Sequence, residues 1–381
     1  MRSALFLRAY HSGKRTRINP RFRPYSDEPV DLRSDTVTLP CHEMLRAPLA
    51  RTAQFGDDVM AEDIATLELE AYMADLTGKE KALFVPTCTM ANIAAILSHC
   101  HTRASEIIVG SASHISLWEG GGAANIGGVH TRQIEEDSNA RMSPDQIRDN
   151  VFPDTDDHCA QTNLLCLENT HNMLGGVALP PSYMCEMAKL AEELELKTHM
   201  DGARIFNTAI AQDVPVKELC REIDSISICF SKGLGAPAGA VLAGETEFIR
   251  LAKRARKRLG GGMRQTGVLA SMCDYAVKHN VDRLRDDHQR AKTIAAELKA
   301  AGFYLPRDGL VDTNIIYFGL AEDTNIDKEK FQMILHREHN VKLTGGYSKG
   351  GNLFRLVTHM GVDDEQTSRA TEAMIRLSKE Y

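Results

Sequence analysis

The chain has 381 residues and a formal net charge of -7, with 43% hydrophobic and 25% charged residues. This composition is that of a globular protein with enough apolar side chains for a large core. The acidic balance argues against a nucleic-acid binder whose whole surface is basic. No apolar run approaches the roughly 20 residues that a membrane-spanning helix needs, so we expect neither a nucleic-acid nor a membrane partner.

The nine cysteines are scattered, are odd in number and never form a C-x-x-C pair. This usage is typical of a reducing compartment and argues against both a disulfide framework and a cysteine-ligated zinc. The cluster at residues 99–101 (HCH) resembles a set of metal ligands, but adjacent residues point in different directions around a helix. We interpret it as a helix end and predict no metal site.

The first 28 residues are predicted to be a basic arm outside the fold. Residues 1–26 carry seven Lys or Arg side chains, an apolar patch and no acid. This pattern is typical of an organelle transit peptide, and a disordered arm without an address is the alternative. We expect the mitochondrial matrix or the cytosol, with the arm slightly favouring mitochondria.

From residue 29 onward, short apolar strands alternate with helices. We predict strands at residues 81–85, 107–109, 164–167, 196–201, 223–230, 239–243, 314–318 and 353–357, and helices at residues 61–76, 90–98, 182–194, 288–300 and 328–339. The alternation predicts an α/β fold with a mostly parallel sheet covered by helices on both faces. The pattern changes near residue 280, so we predict a large domain at residues 29–279 and a smaller α+β domain at residues 280–381.

Polar residues follow several predicted strands at the point where each strand ends. Because the carboxyl ends of parallel strands meet at one crevice, we expect Thr89, His114, His171, Asp201 and Lys232 to converge. Lysine is rarely buried without a partner, and a lone lysine at a strand end usually reaches into solvent. The convergence instead favours Lys232 as an amine that attacks a carbonyl compound.

A lysine with an acid one crossover earlier suggests a pyridoxal phosphate enzyme. Asp201 lies 31 residues before Lys232, enough for one strand–helix–strand excursion. The aspartate would pair with the pyridinium nitrogen, Thr89 at its helix start would receive the phosphate, and His114 could stack on the ring. Each residue alone has a structural explanation, as a turn former, a helix cap or a loop histidine, but their joint position favours a site.

Two other patterns have simpler explanations. Residues 233–238 loosely match a dinucleotide-binding fingerprint, but the fingerprint requires a following helix and Pro237 precedes a predicted strand. The basic run at residues 253–258 resembles a nuclear localisation signal. We interpret it as the solvated or inter-subunit face of a helix that ends at the glycines 260–262.

Six motifs together resemble one known family. They are residues 31–38 (DLRSDTVT), 168–172 (ENTHN), 201–207 (DGARIFN), 231–235 (SKGLG), 260–265 (GGGMRQ) and 355–359 (RLVTH). The chain resembles the low-specificity L-threonine aldolases, within the fold-type-I pyridoxal phosphate enzymes. The resemblance implies cleavage of L-threonine and L-allo-threonine to acetaldehyde and glycine, in threonine catabolism and glycine biosynthesis, by a homotetramer with active sites at dimer interfaces.

The resemblance also assigns cofactor roles. Lys232 would bind pyridoxal phosphate covalently, Asp201 would pair with its ring nitrogen and His114 would stack on the ring. Cys88 and Thr89 would lie at the phosphate.

For the substrate, Arg355 with Ser34 would hold the carboxylate, and Arg204 would face both cofactor and substrate. His171, or a water that it orients, would take the β-hydroxyl proton. Arg264 would reach the cofactor of a neighbouring subunit.

Three positions depart from the family pattern. Cys88 stands where a glycine is usual in the phosphate loop, Met60 where a tyrosine is common, and Arg258 where a lysine is common. None of them alters the pair of Lys232 and Asp201, so we expect activity. Another lyase or aminotransferase reaction on the same scaffold, or an inert protein that keeps the fold, stays open.

Overall fold

The computed structural model describes residues 29–152, 155, 157–321, 324–345 and 353–381. The predictions for the basic arm, residues 1–28, lie outside these ranges. Within them, no helix combines the length and the apolar character needed to cross a membrane.

The described residues form strands, α-helices and three short 3-10 helices. The strands are β1 Val30–Asp31, β2 Lys81–Val85, β3 Ser105–Gly110, β4 His130–Ile134, β5 Gln161–Glu168, β6 Lys197–Asp201, β7 Ser225–Cys229, β8 Ala240–Gly244, β9 Ile315–Phe318, β10 Val341–Lys342, β11 Thr344–Gly345 and β12 Phe354–Val357. The α-helices are α1 His42–Arg46, α2 Ile64–Thr77, α3 Cys88–His99, α4 His114–Leu117, α5 Gly122–Asn125, α6 Pro144–Arg148, α7 Pro181–Glu193, α8 Ile205–Gln212, α9 Val216–Cys220, α10 Thr246–Arg258, α11 Gly267–Asn280, α12 Leu284–Ala300, α13 Lys328–His339 and α14 Asp364–Glu380. The 3-10 helices are Asp35–Val37, Ala47–Gln54 and Pro306–Gly309.

A seven-stranded sheet forms the centre of the larger part of the molecule. Its order is β2-β8-β7-β6-β5-β3-β4, and β8 runs antiparallel to both of its neighbours while the other pairs are parallel. Every residue of β7 and of β8 is buried, as expected for strands covered by helices on both faces. The predicted α/β class with a mostly parallel sheet is confirmed.

A second apolar core surrounds a three-stranded sheet of order β11-β12-β9 and the helices α12, α13 and α14. Val30 and Leu32 belong to this core, because β1 pairs in parallel with β10. The start of the described chain therefore packs with the C-terminal elements, although the sequence pattern assigned it to the larger domain. The domain boundary near residue 280 stays a prediction.

The glycines that follow Lys232 belong to the turn that leads from β7 into the antiparallel strand β8. Gly235 has a φ of +78° and Gly239 a φ of +115°, values that side-chain-bearing residues rarely adopt. A Cβ on Gly239 would also lie 2.7 Å from Cys273 Sγ and 2.9 Å from the Phe84 ring. Since a strand follows, these glycines form no dinucleotide-binding fingerprint.

The basic run on α10 is only partly a solvated face. Arg256 is buried, with Nη2 2.6 Å from Asp58 Oδ2 and Nη1 donating to the Phe84 carbonyl at 2.7 Å. Arg258, two residues on, is exposed. Our interpretation of this run as a solvated or inter-subunit face was therefore wrong for Arg256, whose charge is matched by an acid almost 200 residues away in the chain.

We predict that Arg256→Leu lowers the free energy of unfolding by about 3–5 kcal/mol, because it leaves Asp58 charged and buried without its partner. Arg258→Leu, a matched change on the exposed side of the same helix, should alter it by no more than about 0.5 kcal/mol. Urea unfolding followed by circular dichroism measures both. Equal losses in the two variants would show that the buried pair has no special importance.

Candidate active site

Lys232 lies three residues after the end of β7, as the sequence predicted. Its backbone carbonyl accepts hydrogen bonds from Thr38 Oγ1 at 2.8 Å and from Gly235 N–H at 2.9 Å. These bonds fix the lysine between the N-terminal segment and the turn to β8. Burial raises the pKa of Asp35 and of Asp201, but neighbouring cations, Lys232 among them, outweigh burial and hold both pKa values below the ordinary range.

Asp201 ends the adjacent strand β6 and is 2% exposed. Its Oδ2 accepts a hydrogen bond from Asn92 Nδ2 at 2.8 Å, and its Oδ1 accepts one from Ala203 N–H at 3.0 Å. Burial opposes its ionisation, but His114, Lys232 and these donors hold the pKa of Asp201 below its ordinary value. A buried carboxylate is therefore kept negative beside an amine.

His114 begins α4, and its imidazole lies close to Asp201. The distance from His114 Nδ1 to Asp201 Oδ2 is 3.9 Å, and the distance to Glu119 Oε1 is 2.9 Å. The backbone N–H of His114 donates to Glu168 Oε2 at 2.5 Å. Burial lowers the pKa of His114, but the Glu119 and Asp201 carboxylates outweigh it, so that the pKa is raised.

The N-terminus of α3 lies at the same end of the sheet. Thr87, and not Thr89, is the N-cap, since Thr87 Oγ1 accepts from Met90 N–H at 3.2 Å. Cys88 and Thr89 occupy the first turn, where backbone N–H groups have no partner within the helix and favour an anion. The Thr89 side chain is exposed.

The Cys88 thiol points toward the sheet. Its Sγ lies 3.5 Å from Ser227 Oγ and 4.0 Å from Asp201 Oδ1. The neighbouring Cys88 thiol and the charge of Lys232 lower the pKa of the Cys229 thiol despite burial, while the pKa of Cys88 is raised. The chain thus has two neighbouring thiols below the predicted site.

Arg204 and Arg355 have different environments. Arg204 forms a bidentate ion pair with the buried Asp35, with Nε–Oδ2 and Nη2–Oδ1 distances of 2.7 Å each. Arg355 donates from Nη1 to the Arg33 carbonyl at 3.0 Å and from Nη2 to Asn172 Oδ1 at 2.9 Å. Arg204 is thus engaged with an acid of the chain, and two of the acceptors that orient the Arg355 guanidinium are neutral.

Ser34 lies next to the residue whose carbonyl Arg355 contacts. It is the N-cap of the 3-10 helix Asp35–Val37, and its Oγ accepts from Thr36 N–H at 3.2 Å. The structure therefore brings Ser34 and Arg355 to the same place. Arg264 is separate, because its side chain is exposed and pairs with Asp57 at 2.7 Å.

His171 follows β5 and is buried. It forms a hydrogen bond that the sequence did not predict. Its Nε2 lies 2.9 Å from Glu136 Oε1, while its Nδ1 is buried without a hydrogen-bond partner. Glu136 Oε2 in turn accepts from Ala112 N–H at 3.1 Å and Ser111 Oγ at 3.2 Å. Burial lowers the pKa of His171, but nearby carboxylates, Glu168 foremost, outweigh it and raise the pKa.

Asn92, Glu119 and Glu136 are among the polar residues of this region that the sequence did not single out. Asn92 carried a signal, since it is a lone amide inside the apolar helix α3. Glu119 and Glu136 carried none, because neither follows a predicted strand end and their contacts with Asn92 and His171 join residues 27 and 35 positions apart.

Comparisons with known proteins identify the family. The profile of the beta-eliminating lyase family matches residues 31–321. The chain is 42% identical over 344 residues to the low specificity L-threonine aldolase of Escherichia coli K12, which covers 88% of this chain and 96% of that protein. The chain belongs to the low-specificity L-threonine aldolases of this family.

Further relatives agree. A probable low-specificity L-threonine aldolase 2 of Arabidopsis thaliana is 44% identical over 308 residues, 81% of this chain and 86% of that protein. The structure of a Leishmania major threonine aldolase superposes with a TM-score of 0.78 at 18% identity, covering 92% of this chain and 100% of that one. The structural comparison shows that the fold is shared.

Threonine aldolases of the beta-eliminating lyase family depend on pyridoxal phosphate, and the residues present here fit that group. Lys232 provides an amine, and Asp201 provides a buried carboxylate that stays negative and so suits a protonated ring nitrogen. His114 provides a flat ring beside that carboxylate. The first turn of α3 provides backbone N–H groups for a phosphate.

We predict that Asp35→Asn lowers the free energy of unfolding by about 3–5 kcal/mol, because the Arg204 guanidinium is left charged and buried. Asp31 pairs with the exposed Arg33 only two residues away, so Asp31→Asn should cost no more than about 1 kcal/mol. Urea unfolding of the two variants under one set of conditions makes the comparison. Indistinguishable midpoints would contradict the assignment of Asp35 and Arg204 as a pair on which the fold depends.

Proposed function

We propose that this protein is a low-specificity L-threonine aldolase, which cleaves L-threonine and L-allo-threonine to acetaldehyde and glycine. The observation that carries the proposal is the meeting of Lys232, Asp201 and His114 at one end of the sheet, where the charges of Lys232 and His114 keep Asp201 ionised. The identities of 42% and 44% to threonine aldolases support the same reaction.

Pyridoxal phosphate is the cofactor that these residues would hold. Lys232 would bind it covalently, Asp201 would pair with the ring nitrogen, and the N–H groups of Cys88 and Thr89 would face the phosphate. When bound, it supplies a ring that accepts the electron pair released as the Cα–Cβ bond of the substrate breaks.

Arg355 is the residue that we propose for the substrate carboxylate. Its planar guanidinium is held by the Arg33 carbonyl and the Asn172 amide, and bidentate binding of a carboxylate suits this geometry. Ser34 lies beside it as a hydroxyl donor. Arg204 would act more indirectly than the resemblance implies, by holding Asp35 in place.

His171 would take the proton of the β-hydroxyl. The Glu136 carboxylate accepts a hydrogen bond from His171 Nε2. In a neutral imidazole the proton therefore lies on Nε2 and the lone pair on Nδ1. Nδ1 is the buried atom that has no partner of its own. His171 and Glu136, called the dyad below, therefore have the arrangement of a general base and a carboxylate that fixes its tautomer.

We propose a homotetramer in which Arg264 reaches the active site of a neighbouring subunit. Several large apolar side chains are exposed in the single chain, among them Met60 at 68%, Leu49 at 72% and Val268 at 43%. Apolar area of this kind favours burial against a second copy. Light scattering measures the number of subunits, and titration of Arg264→Ala with pyridoxal phosphate tests whether Arg264 contributes to cofactor affinity.

For the location of the protein in the cell, we propose the mitochondrial matrix or the cytosol.

Acetaldehyde release from L-threonine and from L-allo-threonine is the decisive measurement. We predict turnover of both substrates, none by Lys232→Ala, and unchanged turnover by Lys253→Ala, an exposed lysine on α10. Lys232→Ala should also lack the visible absorbance of lysine-bound cofactor. Ammonia or keto-acid release without acetaldehyde would favour another lyase or a transaminase, and a protein without that absorbance or turnover would be inert.

The dyad predicts a pH effect. His171 must be unprotonated to accept a proton, so kcat falls as pH drops through the His171 pKa, which Glu136 helps to raise. Glu136→Gln should lower that pKa, move the acid limb of the kcat profile to lower pH and reduce the plateau rate. His171→Asn should lose about 10²–10⁴-fold in kcat; full turnover of this variant at its optimum would rule out the direct role.

A further inference from the structure

The side chain of Asn92 lies at the centre of a buried polar cluster. Its Nδ2 donates to Glu119 Oε1 at 2.7 Å and to Asp201 Oδ2 at 2.8 Å. Its Oδ1 accepts from Ser227 Oγ at 2.7 Å and lies 3.1 Å from His199 Nε2. Asn92 is fully buried and uses its whole hydrogen-bonding capacity. The amide therefore has one orientation, since the reverse would turn its oxygen toward two carboxylates.

His199 supports that orientation. Burial lowers the pKa of His199 to about 4, so its ring is neutral at physiological pH. Its Nδ1 lies 2.9 Å from Ser225 Oγ, which can donate its hydroxyl proton there. Nε2 then carries the ring proton and donates it to the Asn92 oxygen.

Glu119 accepts from Asn92 and faces His114 with the same oxygen. The Glu119 side chain is fully buried, and its Oε2 has no hydrogen-bond partner. Oxygens of Glu119 and Asp201 and a nitrogen of His114 all lie within 4.8 Å of one another. Two buried carboxylates this close repel each other, so a cation between them is strongly favoured.

We propose that Glu119, joined through Asn92 to Asp201, is a positioning residue that keeps His114 protonated on Nδ1 and its ring in one orientation beside Asp201. Burial and the Asp201 charge raise the pKa of Glu119 above its ordinary value, against the hydrogen bonds from His114 and Asn92 that lower it. Ionised Glu119 can only accept, so the 2.9 Å contact then places a proton on His114 Nδ1. A neutral ring with its proton on Nδ1 would also satisfy this contact, and the second carboxylate, Asp201 at 3.9 Å, is what favours the positive imidazole. Only the catalytic consequence rests on the proposed function; the protonation of His114 does not.

The charged groups around His114 come from four elements. Glu119 follows α4, Asp201 ends β6, Lys232 follows β7, and Glu168 at the end of β5 accepts the His114 backbone N–H. Lys232 disfavours a charged His114, whereas Glu119 and Asp201 favour it. Of the two carboxylates, Glu119 makes the direct contact, so its removal should have the larger effect.

Exchange of the imidazole C2 hydrogen for deuterium, followed by mass spectrometry, gives the titration midpoint of each histidine in the intact holoenzyme. We expect the His114 midpoint to lie above that of the exposed His101 in the wild-type protein. Glu119→Gln should lower it by about one pH unit or more, while Glu119→Asp should retain part of the rise. Glu365→Gln, on the exposed surface of α14, should change nothing.

An unchanged His114 midpoint in Glu119→Gln would overturn the proposal, provided that the His171 midpoint shows the rest of the site to be intact. If Glu119→Gln does not fold, a wild-type His114 midpoint at or below that of His101 overturns it equally well. If the protein is an aldolase, kcat of Glu119→Gln should fall more at pH 8 than at pH 6. Absence of aldolase activity would leave the midpoint test in force.

Discussion

A carboxylate buried at the end of β6 must stay ionised, and much of the site depends on how this is achieved. Desolvation alone would neutralise Asp201. The cost is offset by two hydrogen bonds, from Asn92 and Ala203, and by the charges of His114 and Lys232. Asn92 comes from α3, His114 from α4 and Lys232 from the turn after β7. The negative charge of Asp201 is therefore stable only when these elements pack against β6 in the observed arrangement. The charge of Asp201 thus couples sheet topology to chemistry.

A second buried acid joins the N-terminal segment to the sheet. Asp35 is fully buried, and its bidentate pair with Arg204 ties residues near β1 to the end of β6. Because β1 pairs with β10, the same segment also belongs to the C-terminal core. By fixing the N-terminal segment, the pair also fixes the Arg33 carbonyl that Arg355 contacts. The position proposed for the substrate carboxylate and the packing of the two cores thus depend on one ion pair.

The positions of the main site residues could be predicted because backbone pattern alone determines them. Strand β2 runs from Lys81 to Val85 and α13 from Lys328 to His339, as the apolar periodicity indicated. Residues that follow parallel strands must meet at one edge, so Asp201 and Lys232 could be found without any side-chain contact.

Partners in space could not be predicted in this way. Asn92 and Asp201 are 109 residues apart, and His171 and Glu136 are 35 apart. The same holds for Arg256. Nothing in the sequence around this arginine indicates that its side chain pairs with Asp58. Pairing of buried charges is decided by tertiary geometry, which a one-dimensional pattern does not contain.

Cys88 shows why a departure from the family pattern can be tolerated. A glycine is indispensable where the backbone has a positive φ or where a ligand contacts Cα, but residue 88 begins a regular helix that any side chain can join. The thiol contacts Ser227 and Asp201, so it does not replace the backbone N–H groups of the first helical turn. The Cys88 thiol and Lys232 together lower the pKa of the Cys229 thiol. Cys88 thus adds a thiol next to Asp201, while the backbone that would bind a phosphate keeps its helical geometry.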